Sequence, residues 1–392
     1  MRVHAFQRAD GQKRYLLLDD AEVIVDLPTR FGFACASRTR YSKETVREWM
    51  SVLKLFCQEL SRRGFEGAAQ LDDAIATIGP LLIEDWFIHL RNIGKSAATL
   101  RNRDSALKKF MSWLTTQEAG QIRTASDQPY ADGKLKTPKP HEPAAQLLTY
   151  QEVSDFICRG FQNESERCIA HFMFDTGVRV SEVARVVQAD LPNIDSYPVS
   201  VMYFPLVIKG SKGSGGGIKQ RYTIISRPML ERLLRLHNNW RTYLRAQVDY
   251  SPGHMPVFLN VLGKPITKGA IQKQIHLASK MLRKTGVLLK NITPHSFRHG
   301  TAFSILQSEH GREFLENMVV CQRALGHNDI KTTERYTKIP APIIAQMQQL
   351  GSQEGPRERY LEAQYIYEQS FKSQRNHTEK RGHGRRQQRH GK

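Results

Sequence analysis

The chain has 392 residues, 40% hydrophobic and 24% charged, enough to bury real cores and to form two or three domains. Its 58 Lys and Arg against 38 Asp and Glu leave a formal net charge of +20, which points to a polyanionic partner, nucleic acid first. No run of about 18 apolar residues exists, which excludes a membrane-spanning helix. The start, from Met1 to Arg8, has no apolar stretch of the signal-peptide kind, so the chain is expected to work in the cytoplasm.

Residues 14–27 predict a small β-element, two short strands around Asp19-Asp20. Val46, Trp49, Met50, Leu53, Phe56, Cys57 and Leu60 then recur by threes and fours, the stripe of an amphipathic helix capped by Ser42 and ended by Gly64. A shorter apolar helix is expected through Leu82 and Leu90. A third begins after Ser96, with Leu100, Leu107, Phe110, Met111 and Leu114 inward. Arg101, Arg103, Lys108 and Lys109 fall on its other faces, either solvated or on DNA phosphate. Residues 115–146 carry Pro129, Pro138, Pro140, Pro143, Gly120 and Gly133 with little apolar periodicity, which reads as a linker. Thr149 followed by Glu152 is a capping box that opens the next helix.

A mainly helical second domain is expected from about residue 147. It is interrupted by β-rich segments at 199–208 and 220–226 around the basic, glycine-rich loop Lys209 to Lys219, a hairpin with a long tip. Beyond residue 340 come two amphipathic stretches. One uses Ile343, Ile344, Met347 and Leu350 and can dock on its own domain or on a neighbouring protomer. The other uses Tyr360, Tyr367 and Phe371. A basic, His-rich tail begins near Lys372. The five cysteines, Cys35, Cys57, Cys158, Cys168 and Cys321, are odd in number and form no C-x-x-C pair, so reduced thiols are expected, with no disulfide, metal or cofactor.

Four segments can carry chemistry. In Asp175-Thr176-Gly177-Val178-Arg179-Val180-Ser181-Glu182, a turn leads into a helix that Ser181 can cap. Arg179 then stands at the helix entrance, where free N–H groups favour an anion; the competing reading is a surface arginine paired with Glu182. The hairpin loop can swing a lysine onto a phosphate, or is merely solvated. Thr293-Pro294-His295-Ser296-Phe297-Arg298 marks a helix start, with His295 and Arg298 on one face at the head of a stripe continued by Ala302 and Ile305. They bind an anion or each other. Gly326 ends a further helix through Leu315, Met318, Val319 and Gln322, just before His327, with Tyr336 nine residues later.

The order Arg, Lys, H-x-x-R, L-G-H, Tyr, together with the segments TGVRVSE, PHSFRH and LGHNDIKTTERYT, resembles the tyrosine recombinase (phage integrase) family over roughly residues 147–340, and the helical segment at 40–115 resembles its core-binding domain. The resemblance implies a mainly α fold with a small β-hairpin, with a helical core-type DNA-binding domain (39–118) and a catalytic domain (147–350); the residues themselves add a small β-element (1–38), a linker (119–146) and a basic C-terminal helix and tail (351–392). It implies Arg179 and Arg298 on the scissile phosphate, His295 and His327 beside it, Glu182 in support and Tyr336 as nucleophile. The lysine fits at Lys209, with Lys212 and Lys219 as alternatives because this loop is longer than the family turn. The stretch between Arg298 and His327 is also longer than the family pattern, the excess falling near 307–314. The implied function is site-specific DNA recombination and integration, of the kind mobile elements carry, by a homotetramer on two double-stranded DNA sites, with accessory DNA-bending or directionality proteins and neither cofactor nor metal. A type IB topoisomerase shares the chemistry but relaxes any supercoiled duplex. A catalytically silent DNA-binding relative would keep the fold alone.

Overall fold

The computed structural model describes residues 1–9, 13–38, 41–133, 148–211, 219–306, 314–326 and 359–371. The chain divides into two compact units, with the break after Pro143. Among the described residues no helix is long and apolar enough to cross a membrane.

The first unit opens with an antiparallel hairpin of β1 (Arg2–Gln7) and β2 (Lys13–Leu18), Arg2 opposite Leu18 and Gln7 opposite Lys13. Of the two strands expected around Asp19-Asp20, only the one before it forms. The buried Asp19 carboxylate accepts the N–H groups of Ala21 and Val23 at 2.9 and 2.8 Å, which turns the chain, and that of Ala68 at 3.0 Å. In place of the second strand the chain forms a helix, α1 (Asp26–Ser37). Its first turn is tied down by Asp72, which accepts the N–H groups of Asp26 and Leu27 at 2.8 and 2.9 Å.

Helix α2 (Lys43–Arg62) has the predicted stripe and cap: Ser42 accepts the N–H of Thr45 at 3.1 Å, and Val46, Met50, Leu53, Phe56, Cys57 and Leu60 are buried. Helices α3 (Ala68–Thr77), α4 (Pro80–Asn92) and α5 (Ala97–Leu114) complete the bundle. Its centre is aromatic, with Phe31 edge-on to Phe110 and Trp113 at 5.3 and 5.6 Å. Two of the four basic residues of α5 lie over rings, Arg103 over Trp86 and Lys109 over Tyr41. Residues 119–133, linker-like in composition, pack back onto this unit. The buried Arg123 guanidinium donates to the carbonyls of Ile75 and Ile78 and so caps the end of α3.

The second unit begins with α6 (Tyr150–Gly160), opened by the Thr149–Glu152 capping box, and the almost wholly buried α7 (Glu164–Thr176). A single helical turn, α8 (Val180–Val183), precedes the hairpin of β3 (Tyr203–Ser211) and β4 (Lys219–Ser226), whose register slips between Lys209 and Ser211. Then come α9 (Arg227–Asn239), α10 (Arg241–Ala246), α11 (Lys268–Lys284), α12 (Pro294–Leu306), α13 (Phe314–Leu325) and α14 (Arg359–Ser370). The second amphipathic stretch expected beyond residue 340 is α14. It is anchored by buried cations: Arg167 donates to the Ser370 carbonyl at 2.6 Å, Arg232 to the Ser370 hydroxyl at 2.7 Å, and Arg359 to the Asp175 carbonyl at 2.6 Å. The first stretch, the extra length near 307–314 apart from Phe314 at the start of α13, and the basic tail lie outside the described residues. None of the five cysteines forms a disulfide, and four are buried. Burial pushes the Cys321 thiol up to about 12, which keeps it protonated.

Candidate active site

The site is assembled at one glycine. Helix α7 ends at Gly177, whose φ of +64° suits the left-handed cap. A Cβ there would stand 2.6 Å from Leu325 Cδ2 and 3.0 Å from Thr301 Cγ2, so α12 and α13 both close onto the α7 terminus because it has no side chain.

Two residues on, Arg179 is the N-cap of α8. Ser181, expected to cap a longer helix, lies inside this single turn. Glu182 supplies the cap instead, accepting the Arg179 N–H at 2.7 Å and its Nη1 at 3.1 Å. The pairing of Arg179 with Glu182 is therefore present, and it leaves 37% of the arginine side chain exposed. The Glu182 side chain is 1% exposed and is shared with Arg221, whose Nη2 lies at 2.8 Å. Burial alone would raise its pKa. The hydrogen bonds and charge of Arg221, then of Arg179, overcome this and hold the carboxyl below its ordinary range.

Arg298 and His295 share a face of α12 but part at the surface. Arg298 is buried, donating Nη1 to the Gly177 carbonyl at 2.6 Å and Nη2 to the Leu325 carbonyl. His295 is exposed at the helix head, its ring centroid 4.3 Å from that of His299. Arg221 also donates Nη1 to the Ala324 carbonyl, so the last two carbonyls of α13 are each taken by a buried arginine. Gly326 turns the chain at φ +65° immediately before His327. His327 and Tyr336 themselves lie outside the described residues.

Lys209 stands on β3 opposite Gln220, beside the Ile208–Arg221 pair. Its Nζ lies 2.5 Å from an Asp190 carboxylate oxygen, and its side chain is 44% exposed. Lys212 and the side chain of Lys219 fall outside the described residues. Three predicted positions, Arg179, Glu182 and Arg298, thus converge on one junction, with Lys209 on the adjoining strand and His295 at an open helix end. Arg221 was not foreseen. Its signal is the strand alternation: it shares the buried face of β4 with Thr223 and Ile225, while Tyr222 faces out. An arginine at an inward strand position needs a partner.

Arg179 and Arg298 are guanidiniums held by fixed acceptors, and the planar donor set of such a group suits a phosphate. Among the described residues no group of three or more His, Cys, Asp and Glu could hold a metal ion.

Residues 148–341 match the phage integrase family, and residues 30–118 match the phage integrase N-terminal SAM-like domain. The chain is 25% identical over 305 residues to tyrosine recombinase XerC of Lacticaseibacillus casei, covering 76% of this chain and 89% of that protein. It is 27% identical over 271 residues to tyrosine recombinase XerD of Staphylococcus aureus, covering 68% and 80%. The fold is similar to that of a lambda integrase dimer bound to a core site, with a TM-score of 0.55 at 17% identity over 79% of this chain and 93% of that one. It is also similar to the Tn1549 transposon integrase in complex with a circular intermediate DNA, with a TM-score of 0.54 at 17% identity over 83% and 99%.

Proposed function

Because the chain belongs to the phage integrase family, we propose that it is a site-specific recombinase, cleaving and rejoining DNA strands through a 3′-phosphotyrosine at Tyr336. The observation that carries this reading is the seating of Arg179 and Arg298 on one buried junction, with Arg298 bonded to the backbone two residues before Arg179.

A phosphodiester repels nucleophiles by its own charge. Arg179 and Arg298 grip its non-bridging oxygens and neutralise the charge that grows in the pentacoordinate transition state. The Tyr336 phenol, with an ordinary pKa of about 10, is activated by that field and passes its proton to His295. A bond forms between the phenolic oxygen and phosphorus, and the bond from phosphorus to the 5′-oxygen breaks. His327 hydrogen-bonds the phosphoryl oxygen. The departing 5′-oxygen takes a proton from Lys209, with Lys212 and Lys219 as alternatives. Lys209 rests on Asp190, so this contact opens when the lysine turns to its substrate. One ester replaces another, so a second 5′-hydroxyl reverses the step without ATP. The arginines supply what a metal would otherwise supply.

The active assembly is a homotetramer on two double-stranded sites, working in the cytoplasm on nucleoid DNA with accessory bending or directionality proteins. The test is a nicked suicide duplex built on the site that the protein selects from a randomised duplex pool. Wild-type protein should form a covalent protein–DNA band, and Tyr336→Phe should bind equally well and form none. A band from Tyr336→Phe would assign the nucleophile elsewhere, and recombination of paired sites separates the reading from relaxation of any supercoiled plasmid.

A further inference from the structure

We propose that Arg221 is a positioning residue for strand cleavage: by sharing the buried Glu182 carboxylate it leaves the Arg179 guanidinium free to take the scissile phosphate. The proposal rests on the recombinase reading.

A carboxylate beside a phosphate-binding arginine is a competitor. Glu182 is buried and charged, and Arg179 bonds it through both backbone and side chain. Were Arg179 its sole counter-charge, the guanidinium would be drawn onto the carboxylate, and an arriving phosphate would have to displace that bond in a site of low dielectric. Arg221 relieves this. Its Nη2 lies 2.8 Å from Oε2, which Arg179 reaches only through its backbone N–H, and its Nε 3.5 Å from Oε1, so the carboxylate has a second cation. Its remaining arm donates to the Ala324 carbonyl and fixes the turn that leads into His327. One planar group thus ties β4, α8 and the end of α13 together. Lysine, a single point of charge, cannot make this three-way contact. The arginine stem also needs the bare Gly326 backbone, where a Cβ would stand 2.5 Å from Arg221 Cδ.

The experiment compares wild-type, Arg221→Met, Arg221→Lys and, as reference, Arg179→Ala on two suicide duplexes of the selected site. One has a normal scissile phosphate and the other a methylphosphonate, which lacks the negative charge that a guanidinium must neutralise. Arg221→Met should cleave the normal duplex at least about tenfold more slowly than wild type, with duplex affinity within about twofold, a loss confined to the transition state. On methylphosphonate its deficit should shrink to within about threefold of wild type, as should that of Arg179→Ala. Arg221→Lys should fall between. Equal slowing on both substrates, or wild-type cleavage of the normal duplex, overturns the proposal. If Arg221→Met does not fold, Arg221→Lys keeps the charge and decides by the same comparison.

A second arm needs no cleavage. In DNA-free protein, amide exchange should quicken over residues 177–183 and 321–326 of the Arg221 variants while α9 and α11 keep their protection. Unchanged or uniformly faster exchange overturns the positioning role. Absence of any adduct from the wild-type chain would instead sink the recombinase reading, and the exchange result would still decide whether Arg221 holds the junction.

Discussion

Gly177→Ala isolates how the junction is held. At φ +64° an L-residue sits in the left-handed region, at a cost of about 1–2 kcal/mol. The new Cβ would also meet Leu325 Cδ2 at 2.6 Å and Thr301 Cγ2 at 3.0 Å, side chains that are both buried, and such overpacking costs about 1–3 kcal/mol. Gly286, just past α11 in the same unit, has a φ of +70° and nothing within 4 Å of its Cβ position, so Gly286→Ala carries the backbone cost alone. In a unit of this size each kcal/mol lowers Tm by roughly 2–4 °C. Thermal unfolding followed by circular dichroism should therefore place Gly177→Ala several degrees below Gly286→Ala, which itself lies below wild type. Because the Gly177 carbonyl seats Arg298, the first variant should also slow cleavage and the second should not. If the two variants melt within about 1 °C of each other, the contacts of α12 and α13 with this glycine do not carry the energy assigned to them.

Lys209→Ala should cripple cleavage of normal DNA yet cut a 5′-bridging phosphorothioate, whose thiolate leaves without a proton, at near the wild-type rate; selective rescue of a Lys212 or Lys219 variant instead would move the general acid along the loop. Cleavage should persist in excess EDTA, and activity that vanishes and returns with Mg²⁺ would contradict neutralisation by arginine. Contact with 6–10 phosphates predicts an affinity loss of about 10³–10⁵ between 50 and 200 mM salt, and a flat titration would undercut the reading of the +20 charge. Glu182→Gln strands Arg221 in the interior and should cost about 3–5 kcal/mol at neutral pH. Since the Glu182 carboxyl is held below its ordinary range, its contribution is complete above the pH at which an unfolded glutamate titrates and fades as the pH falls through the lowered folded-state value. Wild-type and variant stabilities should converge on acidification, and parallel curves from neutral to acid pH would show that the pair is not the source.

What the sequence discloses depends on whether the cause is local. Helix α2 is legible because its stripe, its Ser42 cap and its Gly64 stop lie within one window. Helix α1 is not: Pro28 and Gly32 read as breaks, and its first N–H groups are satisfied by Asp72, 45 residues or more away. Helix α3 is Ala-rich with no clear apolar face until Leu71 and Ile75 find the bundle. The linker-like run after residue 118 misleads because the residues that fasten it, Ala119, Arg123 and Tyr130, are scattered through polar sequence with no apolar period. In the site, Arg179, Glu182, His295 and Arg298 announce themselves within short motifs. Arg221 stands alone on a strand, and its meaning depends on Glu182, 39 residues back, and on Ala324, 103 residues on.

The fastening of the first hairpin bears on how the chain leaves the ribosome. Residues 1–29 precede the matched SAM-like region, yet Tyr15, Leu17, Val25 and Leu27 are buried in the same core as Phe31 and Phe110. The carboxylate that closes this segment, Asp19, waits for Ala68, and the first turn of α1 waits for Asp72. The aromatic centre waits for Phe110 and Trp113. At synthesis rates of about 5–20 residues per second, β2 is exposed for several seconds before the helices that cover it have emerged. During that interval an apolar strand with an open edge is the segment most prone to pair with the wrong chain, and a chaperone bound there would be released by completion of α5 rather than by that of the hairpin.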